Sequence, residues 1–170
     1  MANTTEHRHL VKYLVVSSLC FFIGTVHGVI QILRPVRAWL DSIGSPYGGP
    51  GHLIDPLAHA HINVVGGVVI FLMGASYYLL PKMGGVAIYS RRLVEHTFWW
   101  TSIGIAGFYS TLMTFGILEG NALLEDPDSV ADVHRYYGPV ISVVSTVMGV
   151  GFWVYFANIF LTLRKIRKAE

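Results

Sequence analysis

Residues 55–81 read DPLAHAHINVVGGVVIFLMGASYYLLP. Between Leu57 and Leu80 there is no Asp, Glu, Lys or Arg. A helix of about 20 apolar residues crosses the hydrocarbon of a bilayer, so this stretch is long enough to span one. It is also odd, because His59 and His61 stand at its mouth. An unpaired polar group in hydrocarbon is costly, so both rings need partners or a ligand.

Three further runs of the same kind lie at about 11–33, 93–118 and 136–163. The chain has 170 residues, 53% hydrophobic and 13% charged, which suits one membrane domain rather than a soluble one. A soluble helical protein would show polar stripes at helical spacing. Here the interior polar residues are mainly Ser, Thr, Asn, Gln and His, which membrane helices tolerate. The expected fold is all-α: an integral membrane four-helix bundle with spans at 11–33, 57–80, 93–118 and 136–163, one domain over 1–170. The first run ends in QILRPVRAW rather than a small-residue cleavage site, so it reads as a span and not a cleavable signal. Cys20 is the single cysteine, which excludes a disulfide framework and Cys-based metal motifs.

Charge placement gives orientation. Arg8 and Lys12, then Lys82, Arg91 and Arg92, then Arg164, Lys165, Arg167 and Lys168 flank one set of span ends. The other set carries Arg34, Arg37 and Arg135 among Asp41, Asp55, Glu119, Glu125, Asp126, Asp128 and Asp132. The excess of Lys and Arg places both termini in the cytoplasm. The net charge of +2, segregated into membrane-flanking clusters, does not indicate nucleic acid as a partner.

The eight histidines sort by depth. His7, His9 and His52 fall in polar tail or loop and read as solvated. His96 belongs to the inner end of the third span. His27, His59, His61 and His134 fall near the outer ends of three spans, His134 being drawn into the fourth helix if Asp128 or Ser129 caps it. Any one ring could simply bond a neighbouring carbonyl; three helices offering His at one height point to a ligand. Imidazoles bind transition metals or haem iron. No acidic residue lies deep in a span, as a bare Zn or Cu site would favour. Gly24, Gly28, Gly66, Gly67 and Gly138 lie close to these histidines and could leave room for a macrocycle, although glycines also serve helix packing. Arg34, Arg37 and Arg135 could meet haem propionates. Two residues apart, His59 and His61 point about 200° from each other on a helix, so they cannot share one iron side by side. No CxxCH occurs, so the haem would be noncovalent haem b, one or two per chain.

The stretch HINVVGGVVIFLMGASYYLLP, residues 61–81, resembles the second transmembrane helix of subunit I in the haem–copper oxidase superfamily, above all nitric oxide reductases and cbb3-type oxidases. His61, Asn63 and the Tyr77, Tyr78, Leu79, Pro81 ending stand in the family's order. HTFWWTSIGIAGFYSTLMTFGILEG, residues 96–120, is similar to the third helix. The resemblance implies that His61 is an iron ligand of the low-spin haem and that the opposite ligand comes from a much later helix. The present sequence shows four spans and no adjacent His-His pair, so a truncated four-helix form is expected, with His27, His134 and His59 as further candidate haem-iron ligands.

The function expected from this reading is a small b-type cytochrome of the bacterial inner membrane. It would carry electrons between the quinone pool and a periplasmic or membrane redox partner, as a subunit of a respiratory complex or a homo-oligomer. His96, Glu95 and Trp99, with Trp100, could border a quinone at the inner end, or serve an interfacial aromatic belt. The alternative is an accessory or assembly subunit, or a haem- or NO-responsive module, of a larger oxidase or reductase. A metal- or haem-handling protein is a third class. Reduction of O₂ or NO by this chain alone is not expected, and no catalytic residue is assigned.

Overall fold

Leu33 is extended, with ψ of 132°, and Pro35 sits in the first turn of the helix that follows. Proline lacks an N–H that this turn would leave unpaired anyway, so the first long helix stops and a short one begins. In the computed structural model, which describes residues 7–169, these are α1 (Arg8–Ile32) and α2 (Arg34–Ser42). Three more long helices follow: α3 (Gly49–Gly84), α4 (Arg91–Glu125) and α5 (Pro127–Ala169). The described residues contain no strand. All four long helices are apolar and long enough to cross a membrane. The chain is an all-α integral membrane four-helix protein.

The helices overrun the apolar runs. α3 starts at Gly49 and passes through Pro56, with Asp55 locally non-helical at φ −130° and ψ 109°. α4 continues past Leu118 to Glu125, and α5 is under way by Val130. α4 has 35 residues, which at 1.5 Å per residue is about 52 Å, well beyond a hydrocarbon core of about 30 Å. The α4–α5 hairpin therefore runs on past the outer end of α1, beside α2 and the entry of α3, where Gly116 meets Pro50 O and Gly120 meets Ile43. Gly85, left-handed at φ +64°, closes α3 at the inner end, and the Ser90 hydroxyl caps α4 by accepting from Leu93 N–H.

Neighbours in sequence are neighbours in space: α1 packs on α3, α3 on α4 and α4 on α5, while α5 meets α3 along the inner stretch Ile70–Gly84. Small residues set the close approaches. A Cβ on Gly24, Gly66, Gly67 or Gly74 would strike Asn63, Cys20, Phe21 or Tyr13 across the α1–α3 seam. Gly104 and Gly151 play the same part between α4 and α5, against Met148 and Thr101. The glycines expected to cradle a cofactor are thus mostly taken up by helix packing. Gly28 faces the His59 ring, and Gly138 alone of that group opens on free space.

Most polar groups between the helices are paired, as hydrocarbon demands; among the described residues the buried exceptions are His27 Nε2, Gln31 Oε1 and Ser102 Oγ. Tyr13 donates to Val94 O at 2.7 Å, Ser17 to Gly67 O at 2.7 Å, and Tyr77 shares a 2.8 Å bond with Thr97. At the inner end, fully buried Asn158 takes Ser90 N–H at 3.1 Å and donates back to Ser90 O at 3.0 Å, while Thr162 accepts from Tyr89 N–H. This clasp fastens α5 to the α3–α4 turn. Elsewhere α5 is lightly covered: 6% of its apolar window is buried, against 28–39% for the other three, so most of its surface is left for lipid or another chain.

At the outer end Arg37 ties α2 to the entry of α3. Its Nε donates to Asp41 at 2.8 Å, Nη1 to Asp55 at 2.7 Å and Nη2 to Ser45 at 2.9 Å. Bonds to Asp41 and Asp55 push the guanidinium pKa further up, so it stays charged. The Asp55 side chain is only 14% exposed and would be left without this partner in Arg37→Ala. We expect that substitution to cost about 1–2 kcal/mol, read as a lower unfolding temperature in detergent and faster proteolysis within residues 43–48.

Candidate functional site

His59 and His61 sit on a single turn of α3, between a kink at Asp55 and Pro56 and a stretch of widened, π-type winding at Ile62–Val69. Such winding inserts extra residues into a helix and is common at functional sites. It leaves the two rings on opposite sides of α3, as their spacing requires.

His61 turns toward α4, its ring 4.7 Å from that of Phe108. Its Nδ1 lies 2.8 Å from Leu57 O, one turn earlier. A carbonyl oxygen only accepts, so Nδ1 carries the proton and Nε2 presents its lone pair. That is the tautomer a metal-binding imidazole needs, with the second nitrogen anchored to backbone. The ring is half-buried, so Nε2 is not shut inside the core.

His59 turns toward α1 and is engaged differently. Its Nδ1 lies 3.2 Å from Gln31 Nε2, an amide nitrogen that only donates, so the His59 proton belongs on Nε2. The His27 ring sits 5.3 Å from His59 and 5.8 Å from Tyr109, whose hydroxyl is 3.3 Å from His27 Nδ1. Asn63 donates to His59 O at 2.9 Å and fills the space above Gly24. His27, His59, Gln31 and Tyr109 thus form one polar cluster among α1, α3 and α4.

His27 and His61 share a depth, since Tyr109 and Phe108 are adjacent on α4, but they lie on different sides of α3. His134 does not join them. It pairs with Glu119, Nδ1 to Oε1 3.0 Å, and Glu119 lies eleven residues beyond Phe108, about 16 Å at 1.5 Å per residue. The expectation of four histidines at one height does not hold for this ring, because α4 and α5 run on beside α2 and the entry of α3, well past the level of His27 and His61. Among the described residues no three of His, Cys, Asp and Glu gather closely enough to hold a metal ion. A haem iron asks less of the chain, since one imidazole per face suffices.

The arginines separate as well. Arg37 is taken up by its two carboxylates and Ser45, whereas Arg34 is exposed at the head of α2, and Arg135 lies by Asp132 and over the Tyr136 ring. At the inner end Glu95 pairs with Lys12, whose ammonium also lies 4.5 Å from the Phe98 ring centroid. His96, Trp99 and Trp100 are exposed on the same helix. Glu119 is the residue that reading by depth misassigned to an outer loop: it is 4% exposed within α4. Its spacing from Leu112 and Phe115 continues their buried stripe, and that was the available signal. Gln31, one turn after His27, was legible in the same way.

Comparison with known proteins identifies the family. The chain is 26% identical over 113 residues to the cbb3-type cytochrome c oxidase subunit CcoN1 of Stutzerimonas stutzeri, covering 65% of this chain and 22% of that protein. It is 26% identical over 113 residues to cytochrome c oxidase subunit 1 of Rhodobacter capsulatus, covering 65% and 19%. It is 24% identical over 140 residues to a cytochrome c oxidase subunit 1 homolog of Agrobacterium tumefaciens (strain T37), covering 75% and 24%. The chain spans about a fifth of the length of these relatives. The family model for cytochrome c and quinol oxidase polypeptide I matches residues 5–140, which takes in α1 to α4 and the start of α5. With the match covering most of its length, the chain belongs to the cytochrome c and quinol oxidase polypeptide I family, that of haem–copper oxidase subunit I.

Proposed function

We propose that His61 ligates a b-type haem through Nε2 and that the chain carries electrons within a membrane respiratory complex. The observation behind this reading is the bond from His61 Nδ1 to Leu57 O, which leaves Nε2 with its lone pair free to ligate. A bound haem would supply the one-electron chemistry. The protein's part is to orient the imidazole through Leu57, to border it with Phe108 and to keep water from it by burial. The haem lies toward the outer side, with both termini in the cytoplasm of a bacterial inner membrane; the basic residues at the inner ends support that orientation.

The second axial group comes from outside these helices. His27 and His59 stand on the other side of α3, His134 lies too far out, and His7, His9 and His96 belong to the inner end. A neighbouring subunit or a second copy of the chain supplies it, and the uncovered surface of α5 supports such an assembly. The same surface favours a second reading, an accessory subunit that completes a larger oxidase or reductase without holding haem itself. Electrons would pass between the quinone pool and a periplasmic or membrane partner. A quinone at His96, Glu95 and Trp99 is less well supported now that Glu95 is paired with Lys12.

Purification from native membranes with partners attached tests the choice. A reduced-minus-oxidised spectrum with b-type bands, confirmed by pyridine haemochrome and traced to this chain, is expected. A colourless chain in an intact complex would leave only the accessory role.

A further inference from the structure

Along the inner half of the α1–α3 seam, on its outward side, a furrow of about 400 Å³ follows the two helices. Val11 and Leu14 of α1 form one wall, Phe71 and Leu79 of α3 the other, and all four are exposed. Gly74 and Ala75 make the floor, since Gly74 has no side chain and lets Tyr13 in from α1. Each wall ends in a basic side chain. His7 continues the stripe of Val11 and Leu14, and Lys82 continues that of Phe71, Ala75 and Tyr78. The two meet across the Tyr78 ring: the His7 ring stands edge-on to it with centroids 4.9 Å apart, and the Lys82 ammonium lies 6.0 Å from its centroid. From Phe71 to Lys82 is eleven residues, about 16 Å at 1.5 Å per residue, or half of a hydrocarbon core of about 30 Å.

We infer that this furrow holds one acyl chain of an anionic glycerophospholipid from the leaflet at the inner end, with the lipid phosphate against Lys82 and His7. The furrow has the length of one leaflet, and its polarity is ordered as a lipid's is, apolar along the run and basic at one end. An ammonium is a compact charge with three donors, and an imidazole offers at least one N–H in either charge state, so phosphate oxygens find donors on both walls. Charge decides among headgroups. Among the described residues no carboxylate pairs with Lys82, and Glu95, the one acidic residue of that set at the inner ends, is held by Lys12. A zwitterionic headgroup would bring an ammonium with no carboxylate to meet it, whereas an anionic one brings only what the mouth can satisfy. The apolar walls favour a lipid over a free phosphate, which has nothing to lay along them. The furrow lies at the other end of α3 from His61, so its occupancy does not depend on haem there.

The test uses the full chain in detergent, equilibrated with equal amounts of dioleoyl phosphatidylglycerol and dioleoyl phosphatidylethanolamine and read by native mass spectrometry. One retained lipid per chain is expected, the anionic one favoured at least about fivefold, the effect of a single basic residue at a membrane surface. Lys82→Gln should abolish that preference. Arg167→Gln removes a basic residue from the same membrane face without touching the furrow, and should leave the preference intact. Ala75→Phe and Val11→Trp fill the furrow from α3 and from α1, so each should lose both lipids while its helicity matches the parent's. Glycerophosphoglycerol, the deacylated headgroup, should not displace the lipid. Equal retention of the two lipids, or equal loss of preference in Lys82→Gln and Arg167→Gln (general attraction to a basic face), would overturn the inference. So would displacement by the bare headgroup (a free-anion site), or a dimer that Ala75→Phe breaks with lipid retention unchanged (a second copy in the furrow).

Discussion

His61→Ala, expressed with its native partners, is expected to lose its haem while the four helices still insert. The His61 ring is half-buried and contacts α4 through Phe108, and it lies outside the set of residues that form the buried core. Its removal therefore opens little cavity, and Leu57 O reverts to an ordinary helical carbonyl. The loss of an iron ligand is a different matter. Outer-shell groups alone change metal affinity by 10–100-fold, so deleting a direct ligand should lower haem content at least about tenfold. His59→Ala is the comparison: it breaks the Gln31 contact and disturbs His27, yet should retain haem, because its proton sits on the nitrogen that would have to bind iron. Haem per chain, measured on protein whose helicity matches the parent, decides the matter. Full haem content in His61→Ala, or equal losses in both variants, would remove His61 from the ligand role.

The readability of this fold comes from the bilayer. Hydrocarbon forbids unpaired backbone, so a charge-free run such as 57–80 has few options besides a helix, and four such runs give four helices. The opposed facing of His59 and His61 was equally legible, since two residues on a helix fix it. Depth was not. Counting turns from the apparent end of each span assumes that a helix ends where its apolar run does, and α3, α4 and α5 all run on beyond it. The overrun of α4 and α5 leaves exposed His134 well beyond the level of His61 and buries its partner Glu119, which no hydropathy pattern registers. The glycines were ambiguous for another reason: a missing Cβ looks the same in sequence whether a macrocycle or a neighbouring helix occupies the space. Gly24, Gly66 and Gly67 turned out to face Asn63, Cys20 and Phe21. The kink before the histidines is marked by Pro56, whereas the π-type winding after them left no local mark. Orphan atoms such as His27 Nε2 emerge only when every partner has been placed.

Gly104→Leu should disrupt the structure more than any other single change argued for this chain. The missing Cβ of Gly104 faces the backbone of Met148, and Gly151 in turn faces the backbone of Thr101, so α4 and α5 touch main chain to main chain. A side chain there cannot be absorbed by rotating a flexible neighbour; one helix must move off the other. Overpacking commonly costs 1–3 kcal/mol, and a backbone obstacle puts this case at about 3 kcal/mol or more. The damage should be uneven. Asn158 and Thr162 still grip Ser90 and Tyr89 at the inner end, so α5 stays tethered there while its middle separates. Hydrogen exchange should therefore rise over residues 101–111 and 144–151 and stay low around 158–162. Gly149→Ala is the control, because a Cβ there meets nothing within 4 Å. Alanine's better helix propensity makes it neutral or stabilising by up to about 1 kcal/mol. If Gly104→Leu unfolds at the parent temperature in detergent, α4 and α5 are not held by backbone contact. If both glycine variants lose stability alike, the cost lies in helix flexibility rather than in the α4–α5 seam.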